Sequence, residues 1–211
     1  VALGEDGTAY VTGYYCHSSS SSTQYGCQLS LGSYSADPCV GGGTCDQGQK
    51  RTFVAAIDRN GTWTSLLAAG RDYQVDSSGG GLALDGSGGL YVTGWFDLTY
   101  DWCGMNIGSD CLSANSSDWR ASFLAKIEVS TGGMSWEWAR AIDGTDSPIA
   151  HPSGDGGTYV TGRLTYNGTV FGSDNLTWSS PTGTLNAYLA RIDGDGSWQW
   201  AIRPESSAYT W

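Results

Sequence analysis

The sequence predicts an all-β protein, a β-propeller-like array of three four-stranded antiparallel sheets. Three observations carry this. The string Tyr-Val-Thr-Gly occurs three times, as Tyr10–Gly13, Tyr91–Gly94 and Tyr159–Gly162. Each copy is followed by a second string (Phe53–Asp58, Phe123–Glu128 or Tyr188–Asp193), then by a turn and a Trp at 63, 136 or 198. A fixed order of short strings at long period marks a repeat protein. The third observation is composition: Gly fills 32 of 211 positions and Pro only 5. With Ser, Thr, Asp and Asn, Gly clusters between short apolar runs, as tight turns between short strands require. No amphipathic helical period is present, and no apolar run approaches the roughly 20 residues of a membrane span.

The repeat divides the single domain into units of approximately 1–70, 71–144 and 145–211. Each unit opens with a hairpin around an acidic Gly turn: Val1–Leu3 into Ala9–Thr12, Leu82–Leu84 into Leu90–Thr93, and Ile149–Ala150 into Thr158–Thr161. The third of these turns is about one residue longer, which leaves its first strand the least defined by pattern. Gly13, Gly94 and Gly162 end the second strands, where a bulge or crowded backbones are expected. The connections that follow vary in length: 14–52, 95–122 and 163–187. Loops this long usually have a function or a brace. The first also carries the serine run Ser18–Ser22.

The third strand alternates as Phe-x-Ala-x-Ile, which places one face in a core. Turns at Asp58–Gly61, Ser130–Gly133 and Asp193–Gly196 lead into the fourth strand. At two-residue spacing, Trp136 and Trp138 are expected to share a strand face, as are Trp198 and Trp200. Each indole then packs on a neighbouring sheet.

Six cysteines, at 16, 27, 39, 45, 103 and 111, all lie in the variable connections and none forms a C-x-x-C pair. Local bridges Cys16–Cys27, Cys39–Cys45 and Cys103–Cys111 are the simplest of 15 pairings. They point to an oxidising compartment, extracellular or at the cell surface. A net charge of −11 repels phosphate backbones, so nucleic acid is not an expected partner. The chain opens on Val1 without Met, the expectation for a processed or partial sequence.

These strings resemble the SBBP-type β-propeller repeat of bacterial and archaeal secreted or surface proteins. The third unit matches it most fully, through Tyr159–Gly162, Gly168–Gly172, Leu176–Thr177, Ala187–Asp193 and Trp200–Ala201. The first departs from it over 14–50. The resemblance implies a propeller-type fold on a secreted or surface protein, and brings no shared catalytic residues. Propellers usually close with at least four blades. Three units therefore imply a longer parent chain, a dimer of six blades, head-to-tail stacking, or a compact prism with the loops filling in.

Candidate site residues are few. Asn60, Asn115, Asn167 and Asn175 head N-x-Ser/Thr sequons in expected turns or loops. The Asp-Gly turns at Asp85 and Asp193 can present oxygens to Ca²⁺, although they lack EF-hand spacing and turn chemistry is the stronger reading. His17 and His151 read as ordinary loop residues, with no patterned nucleophile or metal cluster around them. Trp95, Trp102, Trp119 and Trp178 are candidate stacking platforms for glycans. The function expected is an extracellular structural or adhesive module, not an enzyme, forming a homo-oligomer or head-to-tail polymer of filament or surface-layer type. The alternatives are a carbohydrate-binding or carbohydrate-active module and, third, a quinone-dependent oxidoreductase-like propeller.

Overall fold

A computed structural model of the chain describes residues 1–15, 28–36, 50–70, 76–97, 103–114, 120–165, 168–177 and 186–204. Their regular structure is all strand. The first stretch gives β1 (Ala2–Leu3), β2 (Ala9–Tyr15), a small hairpin of β3 (Leu29–Leu31) and β4 (Tyr34–Ala36), then β5 (Arg51–Ile57) and β6 (Trp63–Ala69). The second gives β7 (Ser77–Leu84), β8 (Gly89–Asp97), the hairpin of β9 (Met105–Ile107) and β10 (Asp110–Leu112), then β11 (Arg120–Ser130) and β12 (Gly133–Ile142). The third gives β13 (Thr145–Pro152), β14 (Thr158–Leu164), the hairpin of β15 (Thr169–Phe171) and β16 (Asp174–Leu176), then β17 (Asn186–Ile192) and β18 (Trp198–Ile202).

Three four-stranded antiparallel sheets result, ordered β1-β2-β5-β6, β7-β8-β11-β12 and β13-β14-β17-β18. The recurring strings form the two middle strands of each. Their register is the same every time: Gly13 faces Phe53, Gly94 faces Phe123 and Gly162 faces Tyr188. The missing side chain makes room for the aromatic ring across the ladder. A Cβ on Gly94 would stand 2.6 Å from the Phe123 ring, and one on Gly162 would stand 2.9 Å from the Tyr188 ring. The glycines lie inside β2, β8 and β14 rather than at their ends. Backbone crowds two of them as well: a Cβ on Gly94 would collide with the Ser78 carbonyl oxygen and one on Gly162 would stand 3.0 Å from that of Asp146, beside register shifts in β7 and β13.

Two features depart from the sequence reading. First, each variable connection contains a hairpin, so among the described residues a unit has six strands rather than four. Its turn is the same dipeptide each time, Gly32-Ser33, Gly108-Ser109 and Gly172-Ser173, with Gly φ of 61°, 59° and 60°. A two-residue hairpin turn needs this left-handed first residue. Each turn lies on the first Trp of its own fourth strand: a Cβ on these glycines would meet the Cβ of Trp63, Trp136 and Trp198 at 3.7, 2.9 and 3.1 Å. Second, the third and fourth strands shift register at equivalent places, between Ala56 and Ile57, Lys126 and Ile127, and Arg191 and Ile192. A bulge there inserts one residue between the paired indoles. Trp136 faces Ile127 while Trp138 faces Lys126, so the two rings lie on opposite faces. The same correction applies to Trp198 and Trp200.

The sheets stack in chain order. One core lies between the first and second sheets and includes Tyr10, Val54, Leu90, Val92, Phe123 and Ile127. The other lies between the second and third and includes Tyr91, Leu124, Trp138, Val160, Tyr188 and Ile192. Adjacent residues Leu90 and Tyr91 serve different cores because strand side chains alternate. Burying each large side chain contributes about 1.5–3 kcal/mol, which makes the second sheet the centre of stability.

Candidate functional site

Every sheet has two unlike faces. One carries the small hairpin and the Phe-x-Ala-x-Ile residues. The other carries the Tyr of Tyr-Val-Thr-Gly and the residue two beyond the first Trp. In both internal joints the plain face of one sheet packs on the hairpin face of the next.

The second joint shows how the plain face grips. Tyr91 and Trp138 sit edge to face with centroids 6.0 Å apart. The Tyr91 hydroxyl donates to the Gly156 carbonyl. Trp138 Nε1 donates to the Gly194 carbonyl at 2.8 Å, and Arg140 Nε to the Gly196 carbonyl at 2.7 Å. Lys126 Nζ reaches the Gly194 carbonyl at 3.3 Å and Glu137 at 3.2 Å. The recipients are the turns that end the hairpins of the next sheet. Burial raises the Tyr91 phenol well above its ordinary range, with nearby carboxylates adding to the effect.

Two faces have no sheet over them among the described residues. On the first sheet the open face is the hairpin face, where Val11, Phe53, Ile57 and Trp63 are only partly covered and Leu3 is 73% exposed. Their equivalents in the second sheet, Val92, Phe123 and Ile127, are fully buried. On the third sheet the open face is the plain face, bearing Tyr159, Arg191, Trp200 and Ile202, the last 55% exposed.

The sites expected from sequence are dispersed. Cys103 and Cys111 are bridged, with Cα atoms 5.5 Å apart, and tie the entry to β9 to β10. Cys16, Cys27, Cys39 and Cys45 lie outside the described residues, as do His17, Asn115, Asn167, Trp102, Trp119, Trp178 and the serine run. Asn60 and Asn175 are both exposed, in the turn before β6 and on β16. One face of Trp95 is taken by the Arg120 guanidinium, 3.6 Å from its centroid, which a stacking sugar would have to displace. His151, read from the sequence as a loop residue, is instead a strand residue, exposed on β13 and paired in register with Tyr159.

Asp85 and Asp193 act as turn caps. Asp85 Oδ1 accepts the N–H groups of Ser87 and Gly89, each at 2.8 Å, and the Ser87 hydroxyl at 2.9 Å. Asp193 Oδ1 accepts the Ser197 N–H at 2.8 Å and the Asp195 N–H at 3.1 Å. Asp58 repeats the pattern with Asn60 and Thr62. Among the described residues no group of three or more His, Cys, Asp or Glu is placed to hold a metal ion. A pocket of about 400 Å³ beside the second joint is lined by Asp85, Lys126, Glu128 and Glu137. Its Lys126 and Asp85 already serve the protein's own turns and Glu137.

No protein-family model matches the chain, and no curated protein matches it.

Proposed function

We propose that this chain is an extracellular structural or interaction module of β-propeller-like repeats that associates with further copies of itself. The observation that carries this reading is the pair of unlike open end faces. The fold already joins one kind to the other twice, and among the described residues one of each is left without a sheet over it. A plain face at one end and a hairpin face at the other suit a polar, repeating assembly, whether a closed ring of blades or a filament. The Cys103–Cys111 bridge supports an oxidising, extracellular setting. Exposed Asn60 and Asn175 leave room for glycans away from the cores.

Light scattering coupled to sizing, with negative-stain microscopy, tests the reading. Particles larger than one chain are expected at micromolar concentration. A strictly monomeric chain across the accessible concentration range would overturn it.

A further inference from the structure

We infer that the plain face of the third sheet docks on the hairpin face of the first sheet of a second copy, with Trp200 and Tyr159 in the places that Trp138 and Tyr91 take at the second internal joint. This deepens the self-assembly reading and rests on it.

The equivalence comes from register. Tyr91 faces Lys126 and Tyr159 faces Arg191. Lys126 in turn faces Trp138, and Arg191 faces Trp200. Both triads combine a Tyr, a cation and a Trp. The rings also agree in placement: Tyr159 and Trp200 stand 6.0 Å apart at 50°, and Tyr91 and Trp138 stand 6.0 Å apart at 60°. One pair is sealed in a joint, while the other lies on an open face with the Arg191 guanidinium 5.5 Å from the Tyr159 centroid. Arg191 is also held from within its own sheet, by an ion pair with Asp155 in the turn before β14.

The receiving face matches in its backbone acceptors and its floor. Gly156, which accepts from Tyr91, stands three residues before Tyr159, and Gly7 stands three before Tyr10. Gly194, which accepts from Trp138, stands four residues before Trp198, and Arg59 stands four before Trp63. The carbonyls of Gly7 and Arg59 on the second copy are therefore the acceptors for Tyr159 and Trp200. Around them Val11, Phe53, Ile57 and Trp63 form an uncharged floor, as Val160, Tyr188, Ile192 and Trp198 do under Trp138. Asn60 does not obstruct the joint. It is equivalent to Asp195, which stays exposed beside the existing joint.

Two of the differences give the contact its own character, the first being exposed Arg59 where Gly194 has no side chain. In the second, Arg140, which donates to Gly196, is replaced in register by Ile202. The intermolecular joint thus exchanges a charged hydrogen bond for apolar contact. The two faces differ, so the contact is heterologous: each copy offers one of each.

The test uses the full chain carrying Trp200→Glu, which blocks the plain face, or Val11→Glu, which blocks the hairpin face. Light scattering should show each variant alone as a monomer. An equimolar mixture should give a two-chain species and nothing larger, because one intact face of each kind remains. Ile202→Glu and Leu3→Glu, at more exposed positions, replace any variant whose circular dichroism shows loss of the fold. Variants that assemble like wild type, homodimers of either single variant, or a mixture that stays monomeric would overturn this joint while leaving self-assembly standing. A monomeric wild type would overturn both.

Discussion

Asp110 Oδ2 accepts the backbone N–H of Ala139 at 2.7 Å, so a side chain from the small hairpin closes a hydrogen-bonding position on the free edge of β12. Asp174 and Ala201 repeat the contact in the third unit at 2.8 Å. The first unit has Tyr34 where the other two have Asp. Unpaired edge strands invite pairing with other chains. The hairpins therefore guard edges as well as filling cores.

Asp110→Ala and Asp174→Ala should each lower unfolding free energy by about 1.5 kcal/mol, the low end for a hydrogen bond to a charged group, since both are only partly buried. Asp→Asn keeps an acceptor and should lose less. Urea denaturation of each variant measures the difference. Equal losses for Asn and Ala would remove the hydrogen bond from the explanation.

Gly108→Ala and Gly61→Ala separate backbone strain from crowding. Both glycines have positive φ, 59° and 82°. A Cβ on Gly61 meets nothing within 4 Å, whereas one on Gly108 would stand 2.9 Å from Trp136 Cβ. Gly61→Ala should cost about 1–2 kcal/mol, the left-handed penalty alone. Gly108→Ala should cost clearly more, because the hairpin must lift from the indole. Thermal unfolding of both variants checks the order.

Stability should fall in acid. The Thr62 N–H, with that of Asn60, lowers the Asp58 carboxyl below its ordinary value. Burial pushes the Asp85 carboxyl up, but the N–H groups of Ser87 and Gly89 outweigh it and the net shift is downward. A carboxyl depressed in the folded state stabilises above its unfolded pKa of about 4 and loses that contribution as pH falls through the folded value. Melting temperature should therefore change little from neutrality to about pH 5 and drop below about pH 4. Asp85→Asn should blunt the drop. A melting temperature that rises on acidification would contradict the capping role.

Reducing the Cys103–Cys111 bridge should destabilise the second unit. Opening so short a loop releases about 2.5 kcal/mol of chain-entropy stabilisation. The double Cys103→Ser, Cys111→Ser variant isolates this bridge from the other cysteines. Its thermal unfolding should shift downward while native β-sheet circular dichroism persists at 25 °C. An unchanged transition would show that the hairpin is held by Met105 and Ile107 packing alone.

The sequence carries the middle strands openly. Tyr-Val-Thr-Gly and Phe-x-Ala-x-Ile alternate over a full strand, and register follows from which face is apolar. The hairpins were harder to see because three-residue strands are too short to show alternation. Their signal is the Gly-Ser pair recurring at 32, 108 and 172, each time directly after an apolar residue. The bulge left no trace in the spacing of Trp136 and Trp138, since an inserted residue looks like ordinary alternation. Which faces stay open could not be read from periodicity either. Val11 and Val160 occupy the same place in the pattern, and only stacking order leaves the first partly exposed and the second buried.

The central claim is that one face-to-face rule, plain face on hairpin face, joins the sheets inside the chain and the chains to each other. A high-resolution structure of the assembled particle tests it most directly. The account predicts Trp200 of one copy over the Asp58–Gly61 turn of the next, with chain direction continuing as it does from the second sheet to the third. Two third sheets meeting face to face, or two first sheets, would contradict it.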